Sequence, residues 1–184
     1  MNYRKTCLIF NILLFMLVLS FENCFGQSAE SVLNSFKRLK ISCNIGTSYQ
    51  DYNEKLSEAI FQRKLFGDKI SKSVVSTNNE AKDKIKNIKM NISLGEAELL
   101  YSFASEIWGF SFKAPGRDGI LFIGNPAWKD FFMIVPSVHD KIYNDPRIFE
   151  MGGEKCLRLQ YILSIIWSDA EAKLFSSETV YGSE

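Results

Sequence analysis

The stretch EKCLRLQYILSIIWSDAEAKLF, from Glu154 to Phe175, is strongly apolar and decides the fold class. Leucine, isoleucine and alanine recur in it every three or four residues, which is the spacing of one face of an α-helix. Ile165 and Trp167 add apolar side chains outside that face. The pattern predicts a central helix that neighbours cover on more than one side. The predicted buried face consists of Leu159, Ile162, Leu163, Ile166, Ala170 and Leu174.

Five further segments show helical spacing between residues that start or stop helices. They run from Ser28 to Asn44–Gly46, from Thr47 or Ser48 to Gly67, from Asn78 or Asn79 through a lysine-rich stretch, from the capping box Ser93–Glu96 to Gly109, and from Asn125–Pro126 to Pro136. For the first of these helices, Ile41 is placed on the buried face with Val32 and Phe36. The lysine-rich helix is predicted to bury a narrow stripe of Ile85, Ile88 and Ile92. A strand over Phe131 to Val135 competes with the last helix.

A short β-hairpin is predicted around the loop APGRDG. Phe110 and Phe112 alternate with polar residues before it, and Ile120 and Phe122 lie after it. Pro115, Gly116 and Gly119 suit a turn. Arg117 and Asp118 at its tip are either exposed contacts for a partner or parts of a plain turn. A second short strand is predicted at Val74 and Val75.

The fold class that follows is mainly α: a single domain of about five to six helices with a small β-hairpin, with α+β as the alternative. Residues 27–184 form this domain, and their length suits one hydrophobic core. The tail from about Ser176 is expected to fray.

The N-terminus has the order of a secretory signal peptide. Arg4 and Lys5 precede an apolar run from Cys7 to Phe21, which is shorter than a membrane-spanning helix requires. Cleavage after Gly26 is expected, and it places the protein in the periplasm or outside the cell. The chain contacts a membrane only if this segment stays uncleaved as an anchor.

Without residues 1–26 the chain carries 20 basic and 20 acidic residues, so its charge balance gives no reason to expect nucleic-acid binding. Two of the four cysteines remain, Cys43 and Cys156. In an oxidising compartment the pair predicts one disulfide, and two buried thiols are the alternative.

Catalytic constellations are weakly represented. The single histidine, His139, excludes a multi-histidine metal site, and no metal or other cofactor is expected. A cysteine hydrolase with Cys156 as the nucleophile and His139 as the base is one catalytic hypothesis. Glu106 beside Trp108 resembles an acid in an apolar pocket, and a glycosidase needs a second carboxylate such as Asp118 or Asp130. Asn91-Ile92-Ser93 matches a glycosylation acceptor.

These observations favour binding over catalysis, and no catalytic residue is assigned. The predicted function is an exported small helical module that recognises another protein, as an inhibitor or immunity-type neutraliser of an extracytoplasmic enzyme does. A carrier of an apolar or sugar ligand and a secreted hydrolase are the alternatives. The candidate binding residues are Arg117, Asp118, Trp108 and Trp128, of which the tryptophans suit stacking on a ligand.

Overall fold

A computed structural model describes residues 28–74, 81–113, 119–124, 133 and 135–182. Within these ranges the chain forms five helices and three short strands, which confirms the predicted class of a mainly α fold with a small β part. In chain order the elements are α1 (Ala29–Ile45), α2 (Tyr49–Val74), α3 (Ala81–Lys113), β1 (Ile120–Phe122), α4 (Pro136–Tyr143), β2 (Phe149–Met151), β3 (Glu154–Arg158) and α5 (Leu159–Gly182).

The four long helices form a closed up-down-up-down bundle, in which α1 packs on α2, α2 on α3, α3 on α5 and α5 on α1. Pairs of contacts between helices show that the neighbours are antiparallel. Between α1 and α5 they are Lys37 with Glu178 and Lys40 with Glu171. Between α2 and α3 they are Asn53 with Ser105 and Gly67 with Asn91, and between α3 and α5 they are Glu96 with Lys173 and Lys86 with Tyr181. The connecting segment between α3 and α5 contains α4 and the three strands of the small sheet, and α4 packs beside α5.

Local capping signals place the first two helices where the sequence predicts them. The Ser28 hydroxyl accepts a hydrogen bond from the Ser31 amide at 3.1 Å, and the Ser48 hydroxyl accepts one from the Asp51 amide at 3.1 Å. Gly46 ends α1 with a φ of 82°, a conformation that glycine adopts without steric cost. In α5 the predicted face is confirmed: Ile162, Leu163, Ile166, Ala170 and Leu174 are all buried, and Leu159 packs against them.

Three glycines, Gly67, Gly95 and Gly109, lie inside helices, so the helix ends predicted at Gly67 and Gly109 and the helix start predicted at Ser93 are wrong. α2 continues through Gly67 to Val74, so Val74 is helical rather than part of a strand. The lysine-rich segment and the segment after Ser93 form one helix, α3, which passes Gly95 and Gly109. An interior glycine costs only about 1 kcal/mol. Each of these three faces a side chain of the neighbouring helix across the α2–α3 interface.

The predicted hairpin is also wrong. Phe110 and Phe112 lie in α3, and β1 pairs instead with β3, with Leu121 opposite Leu157. β3 is the centre of a three-stranded antiparallel sheet of order β1-β3-β2. The β2–β3 hairpin turns at Gly152 and Gly153, whose φ values of 63° and 81° suit a two-residue hairpin turn.

Several predictions near the C-terminal half need correction. Residues 154–158 form a strand, so the central helix begins at Leu159 and Cys156 lies outside it. α5 runs to Gly182 with Ser177 buried, so the tail does not fray at Ser176. Pro136 occupies the first turn of α4, where the missing amide hydrogen costs nothing. The predicted helix from Asn125–Pro126 and most of its competing strand lie outside the described residues.

The buried and exposed apolar residues of α3 differ from those predicted. The bundle buries Met90, Leu94, Ala97, Tyr101 and Ala104, whereas Ile85, Ile88 and Ile92 are exposed. Once the two predicted helices are one, the core face set by Leu94 and Tyr101 continues back to Met90, and the isoleucines fall on the opposite side. No described helix is both long and apolar enough to cross a membrane.

Candidate functional site

Trp108, one of the predicted binding residues, belongs to an aromatic cluster where α2, α3 and α5 meet. Its ring centroid lies 5.7 Å from Tyr49, 5.7 Å from Tyr52 and 6.0 Å from Trp167. Phe112 extends the cluster, with its ring 5.3 Å from Tyr49. Tilted and edge-to-face arrangements at these separations are the favourable ones for aromatic pairs. The rings therefore pack on one another, and Trp108 keeps only part of its surface for an external ligand.

A buried hydroxyl ties this cluster to the backbone. The Tyr52 hydroxyl donates to the Tyr101 carbonyl at 2.7 Å and accepts from the Trp167 indole nitrogen at 3.3 Å. Burial raises the pKa of both Tyr52 and Tyr101. The Tyr101 hydroxyl is buried and has no hydrogen-bond partner among the described residues. These tyrosines are structural polar groups of the core, held in their neutral form.

Gly109 permits the closest approach in the cluster. A Cβ atom at this position would lie 2.5 Å from the Tyr49 hydroxyl. We expect Gly109→Ala to destabilise the protein, although the same change in an open helix stabilises by about 1 kcal/mol. In a Tyr49→Ala background the obstacle is gone, and Gly109→Ala should then stabilise. Urea unfolding of the four proteins of this double-mutant cycle measures the reversal. Equal effects in both backgrounds would contradict the close contact.

The other predicted binding residues, Arg117, Asp118 and Trp128, lie outside the described residues. The described chain resumes at Gly119, the residue after Asp118, with a φ of 68°. The Gly119 carbonyl accepts a hydrogen bond from the amide of Leu159, the first residue of α5. Gly119 is thus joined to the start of the central helix.

The predicted hydrolase acid, Glu106, and the two other glutamates of α3 do not form a site. Glu106 is exposed, so the predicted apolar pocket around it is wrong. Glu98 pairs with Arg63 across the α2–α3 interface, and Glu96 pairs with Lys173 at 2.8 Å. Both of these carboxylates therefore join helices, which is a structural role. Asp118 and Asp130, proposed as second carboxylates, lie outside the described residues.

The two cysteines are not joined, so the predicted disulfide is absent from the structure. Lys40, one turn before Cys43, pairs with Glu171, which lies about 18 Å along α5 from Leu159 at 1.5 Å per residue. Cys156 lies in β3, just before that first residue of α5. Cys43 lies one turn, about 4.5 Å, closer to Leu159 than Lys40 does, so a span of about 13 Å remains. That span exceeds the separation of about 7 Å between Cα atoms that a disulfide tolerates.

Neither thiol is placed as a nucleophile. Burial raises the pKa of the Cys43 thiol to about 12. Cys156 is fully buried, and its thiol lies 3.5 Å from the Glu154 carbonyl. His139 stands on α4 beside Asp140, with its ring 4.3 Å from that of Tyr143. A reactive thiolate needs exposure and a lowered pKa, and these positions lack one or both.

An open groove lies between α1 and α2, beside exposed apolar side chains. It has a volume of about 550 Å³. Ile41 and Ile45 of α1 line it while remaining 56% and 78% exposed. The rest of its lining is polar or charged: Ser35, Arg38, Ser42, Glu54, Lys55 and Glu58. A second hollow of about 660 Å³ shares Glu54 and Glu58 and extends toward Tyr49 and Asn53.

The groove is not apparent from the sequence, which predicts that Ile41 is buried, whereas Ile41 is 56% exposed. Val32, Phe36, Leu39 and Cys43 follow one face of α1 and are buried. Ile41 lies about 180° around the helix from Val32, at 100° per residue, and that offset was the available signal. The Asn91 glycosylation motif is also misleading, because the Asn91 side-chain oxygen is buried against α2.

The described residues contain no group of three or more histidine, cysteine, aspartate or glutamate side chains able to hold a metal ion. Comparison of the chain with protein-family models, with curated proteins and with solved structures finds no match. The class of protein is therefore defined by its architecture, a four-helix bundle with an inserted small sheet, and by the groove on that bundle.

Proposed function

We propose that this chain is an exported helical module that binds another protein, acting as an inhibitor or immunity-type neutraliser of an extracytoplasmic enzyme. The observation that carries the proposal is the α1–α2 groove, with its exposed isoleucines and charged rim. The order of residues at the N-terminus supports export.

The composition of the groove supports a protein partner. Protein interfaces combine an apolar centre with a polar, solvent-accessible rim. Ile41 and Ile45 supply the centre here, and the rim carries Arg38 and Lys55 together with Glu54 and Glu58. Two basic and two acidic groups suit a partner surface of mixed charge. They give specificity through matched ion pairs more than through overall attraction.

The exposure of the isoleucines favours a protein over a small ligand. Small-molecule sites bury most of the ligand surface. Ile45 is 78% exposed, so the groove is open along its α1 side and does not enclose a ligand. An apolar side chain projecting from a partner fills such an opening and is covered from outside by the partner itself.

A carrier of an apolar ligand is the second candidate, because a volume of about 550 Å³ is within the range of small-molecule pockets. The aromatic cluster gives this alternative less support, since its rings pack on one another. A carrier predicts that one small molecule from the native compartment raises the melting temperature, and a protein binder does not require it.

The test is affinity capture from the native extracytoplasmic fraction with the wild-type protein and the Ile41→Asp, Ile45→Asp double variant. We expect one stoichiometric protein partner for the wild type. The variant should weaken its binding at least about tenfold, because two carboxylates are desolvated in the apolar centre.

Phe175→Asp is the matched control, since Phe175 is 68% exposed and lies on α5 outside the groove. It adds a carboxylate to an exposed apolar site and should leave binding unchanged. Equal capture by the groove variant and the control would contradict the assignment of the groove. A small molecule that binds the wild type and displaces no protein would favour the carrier.

A further inference from the structure

The outer side of α3 carries an exposed apolar row, here called the α3 stripe, made of Ile85, Ile88, Ile92 and Leu99. Their exposures are 53%, 38%, 59% and 40%. Ile85, Ile92 and Leu99 are spaced by seven residues, and Ile88 follows Ile85 by three. This is the spacing of the seam by which two helices pack in a coiled coil. Over 14 residues the stripe is about 21 Å long.

From Ile85 to Leu99 the described helices leave this side of α3 exposed. The opposite side is buried against α2 and α5 through Met90, Leu94, Ala97 and Tyr101. A helix that is apolar on two opposite sides normally packs on both. Four large aliphatic residues in one row, rather than scattered singly, indicate an interaction surface.

The charges beside the stripe change sign along the helix. Residues 81–89 contain four lysines and one aspartate, whereas residues 90–112 contain three glutamates and no basic residue. Lys89 and Glu96 are both exposed, close to the stripe, and on the same side of it at 100° per residue. A surface that is basic at one end and acidic at the other is complementary to itself when one copy is reversed.

We propose that the α3 stripe is a homodimer interface, in which two copies of α3 pack antiparallel about a two-fold axis at Ile92. This axis sets Ile92 against Ile92 of the second copy and Ile85 against Leu99 of the second copy. It also brings Lys89 beside Glu96 of the second copy, twice by symmetry. Glu96 is half exposed while it pairs with Lys173 of its own chain, so its carboxylate can accept from both lysines. A parallel arrangement would instead place like charges together, which destabilises the pair.

The interface is independent of the proposed function. α1 contacts α2 and α5, on the far side of the bundle from the outer face of α3. The α1–α2 groove therefore stays open in the dimer. If the protein does not dimerise, the capture experiment still tests the groove. If the groove variant captures its partner as the wild type does, the dimer proposal is unaffected.

Analytical sedimentation of the purified protein at concentrations between about 5 and 500 μM tests the proposal. A protein with an interface of modest size forms dimers in this concentration range. The wild type should shift from monomer to dimer. Ile92→Lys should remain a monomer with unchanged helical circular dichroism. Lys89→Glu should weaken the dimer about tenfold, because it sets two carboxylates against each other across the interface. A wild type that stays monomeric, or an Ile92→Lys protein that dimerises normally, would overturn the proposal.

Cysteine cross-linking tests the register. Ile92→Cys should form a disulfide-linked dimer on mild oxidation, because the axis places the two introduced thiols side by side. Ile45→Cys, at a more exposed position on α1, should not. Equal cross-linking at both positions would refute the two-fold axis at Ile92. A monomer that binds vesicles of anionic lipid through Ile92 would identify the stripe as a membrane contact and also refute it.

Discussion

Tyr52→Ala is expected to lower the free energy of unfolding by about 4 kcal/mol, the size seen when a large aromatic residue is removed from a core. Tyr52 is fully buried and contacts the rings of Trp108 and Trp167. The change also removes the hydroxyl that satisfies the Tyr101 carbonyl and the Trp167 indole nitrogen. Chemical denaturation monitored by circular dichroism measures the loss.

Two variants separate packing from hydrogen bonding at this position. Tyr52→Phe keeps the ring and should cost only about 1 to 2 kcal/mol, the cost of leaving buried polar groups without a partner. Phe175→Ala truncates an exposed ring and should change stability by less than about 0.5 kcal/mol. If Tyr52→Ala costs no more than Phe175→Ala, the aromatic cluster does not hold the bundle together.

In the folded protein both thiols should react with an alkylating agent at least about 1,000-fold more slowly than in the unfolded chain. Only the thiolate reacts, and a rise in the pKa of Cys43 from 9.0 to about 12 lowers its thiolate fraction at pH 8 about 1,000-fold. Cys156 is protected because it is fully buried in β3. Mass spectrometry of alkylated protein, with and without denaturant, measures both rates.

The unfolded, unreduced protein supplies the control. Cys43 and Cys156 should both be labelled there, since the structure does not join them. Protection of both without reductant would instead show that a disulfide forms. Rapid labelling of Cys156 alone in the folded protein would contradict its burial and revive the cysteine-hydrolase alternative.

The sequence predicts features that depend on neighbours within one or two helical turns. Ser28 and Ser48 cap their helices through bonds three residues away, and the α5 face repeats every three or four residues. It does not predict features that depend on distant partners. Gly67 and Gly109 resemble helix stops until α2 and α3 are seen to approach each other there. The pairing of β1 with β3 joins segments more than thirty residues apart.

The candidate groove is also a feature that depends on a distant partner in the chain. Ile41 was predicted to be buried because it is apolar and lies near buried residues in sequence. Its position around α1 points it outward, and only the placement of α2 beside it creates a groove. The α3 stripe was misassigned for a related reason: α3 has two apolar sides, and the sequence alone does not say which one the bundle covers.

The proposal that this chain binds a protein through the α1–α2 groove is tested most directly by site-specific photo-cross-linking. A photoreactive amino acid is placed at Ile45, in the groove, or at Phe175, on α5, and each protein is irradiated in the native extracytoplasmic fraction. We expect one discrete adduct with another protein from position 45 and none from position 175. No adduct from position 45, or the same adducts from both positions, would contradict it.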